Sequence, residues 1–264
     1  MPEWKNRIPA IILLILIVHL PTLTSAREGG IKDPIIISGH PDYPPFMWQE
    51  GDRIVGVGPD LAGIILSGLD KAYQSRYLGP WKRVQETARY GKVDLIAGIY
   101  RNIEREAYLE FSEPYCQDPT SVFVEKGKGF PVAGREDLVN RRGVTLFGDS
   151  FGDSMDRFIE KELRMARVYS VDKMIDQLLS GKAEYLFFGY YAVRISANRL
   201  GVGEKLAVVK KDLVVENFCF AFPKRSPHAA LLPKINRQIR RLRDEGRIDA
   251  LIEDHMNRYL HKAH

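Results

Sequence analysis

The segment from Gly91 to Tyr115 constrains the fold more than any other part of this 264-residue chain. Residues 93–97, Val-Asp-Leu-Ile-Ala, form a short apolar run of the kind found in a buried strand. Gly91 ends the helix before it. After it, Ile99-Tyr-Arg-Asn-Ile-Glu-Arg105 reads as a tight loop closing on an arginine, and Phe111-Ser-Glu-Pro-Tyr115 as an aromatic and proline exit. Such a loop places Arg105 near the carboxyl end of its strand, where open α/β sheets bind ligands. A guanidinium offers a planar fork of donors that can hold a carboxylate by two bonds at once. A lone arginine in a loop is ordinarily solvated, so its meaning depends on the remainder of the chain.

That remainder alternates short apolar strands with helical segments, which argues for an α/β fold of one or two domains. Ile35 to Ser38 reads as the first strand. Asp60 can cap a helix whose apolar positions Leu61, Ile64, Ile65 and Leu69 recur at helical spacing. Further helices are predicted over 81–90, 154–163, 171–180 (stopped by Gly181) and 190–200, and strands over 144–147, 167–169 and 183–188. Residues 217–222 read as extended, and Pro227 opens two closing helices.

Residues 1–26 have the features of a cleaved secretory signal: Lys5 and Arg7, an apolar run over 8–20, and small residues at Thr24-Ser-Ala26. The run is shorter than the ~18–20 residues of a spanning helix. An exported, periplasmic protein is the expectation, an uncleaved anchor the alternative. No cysteine follows the cut to carry a lipid. The net charge of +5 is spread along the chain. Arg237, Arg240, Arg241 and Arg243 share a helix with Ile235, Ile239 and Leu242, so they read as a solvated face rather than a nucleic-acid surface. Two cysteines, Cys116 and Cys219, give neither a zinc cluster nor a disulfide scaffold, and no metal or cofactor is expected.

Taken in order, these motifs resemble the family 3 extracellular solute-binding proteins, the receptors of polar amino acid ABC transporters. Gly91-Lys-Val-Asp-Leu-Ile96, Glu104-Arg105, Phe111-Ser-Glu-Pro-Tyr115, the aromatic loop Pro41-Asp-Tyr-Pro-Pro-Phe46, Trp81, Pro223-Lys224 and Leu242-Arg-Asp-Glu-Gly246 stand at the matching places. The resemblance implies an α/β, bilobed, periplasmic-binding-protein-like type II fold, with two α/β lobes joined by two crossover strands. Lobe one would hold 31–116 and 219–264, lobe two 117–218. Cys116 and Cys219 would fall one on each crossover strand. A disulfide across the hinge is expected there, with two buried thiols as the alternative.

For the site, the resemblance implies that Arg105 carries the main charge contact, with Gly98 and Tyr100 on the same strand and loop. Tyr43 and Trp81 would wall the ligand, while Phe46 and Trp48 read as core packing. Gly148 and Ser150, in the loop before a second-lobe helix, would offer backbone N–H groups and a hydroxyl to an anion. Two positions depart from the family. Tyr100 stands where a Thr or Ser is usual, and Gly189 where the second lobe usually supplies an Asp for the ligand's α-ammonium. An ammonium stripped of water needs a partner, so either another acid such as Asp149 or Glu216 reaches it, or the ligand lacks that group. Tyr190 and Tyr191 could line the cleft or simply pack.

Gly148-Asp-Ser150-Phe-Gly152 also spells the G-x-S-x-G turn of serine hydrolases, which would need Asp172 or Asp176 and then His228 or His255. Both histidines read as surface residues. A lyase or dehydratase on the receptor fold is the other enzymatic alternative. The expectation is a monomeric, non-enzymatic receptor that closes on a small carboxylate-bearing molecule and serves an ABC permease or a membrane sensor.

Overall fold

The computed structural model describes Met1 and residues 33–261; the expected signal segment lies outside the described residues. The first part of the chain runs β1 (Ile35–Ser38), β2 (Asp42–Tyr43), β3 (Met47–Glu50), β4 (Arg53–Val55), α1 (Val57–Ser67), β5 (Tyr73–Ser75), α2 (Trp81–Arg89), β6 (Leu95–Ile99), the short α3 (Ile103–Glu106) and the long β7 (Leu109–Glu125). Then follow β8 (Arg142–Leu146), α4 (Asp153–Glu162), β9 (Arg164–Val168), α5 (Val171–Leu179), β10 (Tyr185–Gly189), α6 (Tyr190–Arg199), the long β11 (Leu206–Pro223), α7 (Leu232–Asp244) and α8 (Arg247–His261).

One eight-stranded sheet organises these elements, in the order β5-β1-β6-β11-β7-β10-β8-β9. At one end β5, β1 and β6 are parallel, and at the other β10, β8 and β9 are parallel. The antiparallel pair β7–β11 runs between the two groups and crosses from one lobe to the other. β6 and β10 are buried at every residue, which is why their sequences are apolar without alternation. The helices bury one stripe each. In α2 it is Trp81, Val84, Gln85 and Ala88, and in α5 Val171, Met174, Ile175 and Leu178, both at helical spacing. The arginines of α7 face outward opposite Ile235, Ile239 and Leu242, as a solvated helix face should.

Three expectations are corrected, and a fourth is borne out and extended. Helix α1 begins at Val57 behind Gly56, so Asp60 lies in its first turn and does not cap it. Gly56 has φ +117, and a Cβ there would run into the Phe46 carbonyl, a close approach only glycine allows. The extended segment at 217–222 is part of a strand of 18 residues. Its first half carries Lys210, Lys211 and Asp212, which mask it as a loop, and pairing with β7 holds it extended. His255 is buried and bonded to Asp60 at 2.9 Å instead of lying on the surface.

The remaining correction concerns the cysteines, which are both free thiols. Cys116 lies opposite Phe218 and Cys219 opposite Pro114, with a register shift between, so the two sulfurs are offset along the ladder rather than facing. Burial pushes both thiols up, Cys219 to about 11. Thiol titration of the non-reduced, denatured protein is therefore expected to count both cysteines, and a reductant should leave the melting temperature unchanged; a thiol-free denatured chain would contradict this arrangement.

Candidate functional site

Arg105 is placed by its own loop. Asn102 ends the extended segment after β6 and its side chain accepts the Arg105 backbone N–H at 2.9 Å, a helix-capping bond that starts α3. The Arg105 side chain then turns inward and is 3 % exposed. Its Nη1 donates to the Tyr100 carbonyl at 2.8 Å, and its guanidinium lies 5.9 Å from the Trp81 ring centre. Burial lowers its pKa, while Asp149 is the largest influence in the other direction. A guanidinium nevertheless remains charged in a protein. Among the described residues it forms no ion pair.

Tyr43, Trp81, Gly98, Tyr100 and Arg105 all line one small void of about 20 Å³ between the lobes, together with His40 and Asp149. That is room for about one water molecule, so admitting a solute requires the lobes to part. Arg105 and Asp149 also line a larger outer cavity of about 470 Å³, shared with Gly148, Ser150, Lys82 and Gln85. Phe46 is core, packed on Phe218 and Tyr191. Tyr190 and Tyr191 are half-buried; Tyr190 stacks on Phe123, while Tyr191 meets Phe46 and Tyr190 edge-on.

Gly189 lines neither cavity, because Tyr43 covers it. A Cβ at position 189 would collide with the Tyr43 hydroxyl. That hydroxyl bonds instead to Asp118, as does the hydroxyl of Tyr100, and the two phenols are 2.8 Å apart. Burial raises Asp118 to about 6, against the lowering effect of the two tyrosine bonds. The sequence carries no sign of this group: a single aspartate in an extended run becomes a site element only through partners 75 and 18 residues away.

His40 was also missed. Its Nδ1 accepts the Asp42 backbone N–H at 3.0 Å, so a neutral ring carries its proton on Nε2, which faces Asp149 Oδ1 at 3.7 Å. Burial, and then the Arg105 charge, lower His40 to about 3. Burial raises Asp149 to about 8, with Arg105 and Arg167 working against it. His40 Nε2, Trp81 Nε1 and Asp149 Oδ2 are all buried without hydrogen-bond partners in the protein. Of the two substitute acids considered from the sequence, Asp149 thus lines the void. Glu216 lines a different cavity beside Gly152.

The second-lobe loop does more than face the cavity. Asp156 reaches back to take the Ser150 hydroxyl and the Phe151 N–H, the latter at 2.7 Å, so it occupies donors that an external anion would use. Ser150 Oγ accepts from Asn102 Nδ2 at 2.9 Å, and Gln85 Nε2 donates to the Gly148 carbonyl at 2.9 Å. Asp42 accepts the Val171 N–H at the start of α5 at 2.8 Å. These bonds join lobe one to lobe two directly. Ser150 is therefore bonded to Asp156 and Asn102, His255 to Asp60 and Asp172 to Arg199, which is not a serine–histidine–aspartate relay.

The raised acids make stability pH-dependent. The folded chain holds a proton on Asp149 up to about 8, whereas an ordinary aspartate at 3.8 has lost it, so folding loses stability as pH rises between those values. Asp118 acts in the same sense but only to about 6. His40, lowered from 6.5, acts in the opposite sense and only below that value. Between pH 6.5 and 8 Asp149 alone of the three contributes. The unfolding free energy from urea titrations should fall there by up to about 1.4 kcal/mol per pH unit, and Asp149→Asn should flatten the slope. Equal slopes in the two proteins would place Asp149 outside the buried cluster.

Residues 35–258 match the sequence profile of the bacterial extracellular solute-binding proteins, family 3. A probable amino-acid-binding protein, YxeM of Bacillus subtilis (strain 168), is 20% identical over 259 residues, which cover 97% of this chain and 96% of YxeM. Two solved structures share the fold. AbpA, an amino acid ABC transporter substrate-binding protein from Streptococcus pneumoniae bound to L-arginine, has a TM-score of 0.71 and 21% identity, over 86% of this chain and 96% of AbpA. A histidine kinase sensor domain with similarity to periplasmic binding proteins has a TM-score of 0.72 and 20% identity, over 85% of this chain and 96% of the domain. With its motifs in order, its bilobed sheet and a profile match over most of its length, this chain belongs to the family 3 bacterial extracellular solute-binding proteins.

Proposed function

We propose that the protein closes on a small polar molecule bearing a carboxylate, an amino acid or a close relative, and hands it to an ABC permease or presents it to a membrane sensor. The observation that carries this reading is the buried guanidinium of Arg105, which spends one nitrogen on the Tyr100 carbonyl, makes no ion pair among the described residues and lines both cavities. A buried charge is stable only when matched, and a carboxylate entering between the lobes matches it. The unpartnered N–H donors of His40 and Trp81 lie around the same void and suit the same anion.

Closure follows from the same geometry. A ligand touching Arg105 of lobe one and the Gly148–Ser150 loop of lobe two favours the shut form by its differential contacts, and a membrane partner reads that form. The bonds Gln85–Gly148, Asn102–Ser150 and Asp42–Val171 add to the ligand's contribution. Residues 1–26 would direct export to the periplasm, where the mature chain works as a monomer. The lobes divide at 116/117 and 218/219. YxeM, described as a probable amino-acid-binding protein, and AbpA, bound to L-arginine, support the amino acid class.

Arg105→Ala is expected to weaken binding by about 2–5 kcal/mol, since it leaves a buried carboxylate unpaired. Titration calorimetry with the ligand found by a thermal-shift screen over amino acids, dicarboxylates and polyamines measures this. An unchanged affinity would remove Arg105 from the site. Mass spectrometry of the ligand after incubation should return it intact; a transformed product would favour the lyase or hydrolase reading instead.

A further inference from the structure

We propose that the solute taken between the lobes carries an oxygen, not an ammonium, beside its carboxylate: a 2-oxo or 2-hydroxy acid rather than an α-amino acid. This rests on the reading of Arg105 as the carboxylate contact and narrows the ligand class.

The polar side chains around the inner void present chiefly donors. Arg105 spends Nη1 on the Tyr100 carbonyl and keeps the rest of its fork. Trp81 Nε1 can only donate, and it is buried without an acceptor in the protein. His40 Nε2 is buried in the same condition, and the Asp42 N–H on Nδ1 fixes the ring proton there. The two rings lie 5.1 Å apart, centre to centre, and both line the void. An oxygen on the carbon next to a carboxylate held by Arg105 supplies the acceptor these donors lack. An α-ammonium at that place brings three more N–H groups and a second cation.

A counter-charge for that cation is missing. Position 189 is closed to any side chain while Tyr43 fills the space above it. Asp118 does not line the void, and one of its oxygens is shared by two phenols. Among the described residues Asp149 is the carboxylate that does line it. Burial raises Asp149 to about 8, so at neutral pH it offers one O–H and one acceptor instead of a charge. The outer cavity holds further acids, but Glu104 pairs with Arg89, Asp156 holds Ser150 and Phe151, and Glu160 is exposed. None of these three lines the inner void.

The opposing possibility is that an ammonium draws the proton off Asp149 and pairs with it. Calorimetry on the mature protein separates the two. It would titrate L-alanine, L-leucine, L-glutamate and L-arginine, each beside the 2-oxo and L-2-hydroxy acids of the same side chain. At least one oxygen acid should bind more than about tenfold tighter than its amino acid. Trp81→Phe keeps an aromatic ring but loses the N–H, and should weaken that acid by about two- to tenfold; an unchanged affinity would overturn the donor argument. If no side chain shows the preference for oxygen, the inference is overturned. Arg105→Ala then reports on the carboxylate reading by itself, which stands if that variant loses the binding seen. A wild type that binds none of these probes overturns both. The wild-type preference needs no variant, so a misfolded Trp81→Phe would not shield the inference.

Discussion

The antiparallel ladder between β7 and β11 runs from Leu109–Pro223 to Glu125–Leu206 and belongs to the sheets of both lobes. Because the lobes share these strands, they can move only by bending or twisting them. The register shifts on β11 at Phe218/Cys219 and Cys219/Ala221, beside the site, and again between Lys210 and Val214. Bulged ladders bend and twist more readily than regular ones. The same stretch also furnishes the floor of the site. Phe218 packs on Tyr43, Phe46 and Tyr100 with ring centres 4.9–5.5 Å apart, and Asp118 lies two pairs further along, opposite Glu216. The element that would bend on closure thus also carries groups that shape the binding surface.

The electrostatics of the inner void are arranged by burial more than by pairing. Arg105 cannot shed its proton, whereas Asp149 and Asp118 are pushed up and His40 down, each toward neutrality. The protein thus answers desolvation by discharging the groups that can discharge and leaves one permanent cation. Among the described residues no carboxylate is paired with that cation. This arrangement is consistent with Asp156 being occupied by Ser150 and Phe151.

The buried strand ending in the arginine loop was legible because its cause is local. An apolar run fixes β6, and Asn102 three residues before Arg105 fixes the turn that follows. Motif order pointed to Tyr43 and Trp81, and both line the inner void. His40 and Asp118 were not, since their roles arise from tertiary neighbours: His40 from a bond to Asp42 and the field of Arg105, Asp118 from two tyrosines on different segments. The start of α1 was misplaced because Asp60 has the chemistry of a cap, yet glycine geometry at Gly56 sets the boundary. The cysteines failed as a bridge for a reason invisible in spacing, a one-step offset in the register. The second-lobe loop reads from sequence as an anion seat, but Asp156, downstream in α4, takes up two of its donors.

Tyr43 and Gly189 lock each other in a way that reaches beyond the present molecule. The phenol needs the empty space over the glycine, and any larger residue at 189 needs the phenol gone. Substitutions at these two positions are therefore epistatic. An aspartate could enter position 189 only through an intermediate already shortened at 43, and that intermediate would have lost the phenol's bond to Asp118. A lineage carrying this pair is steered toward altering its solute preference elsewhere in the cleft.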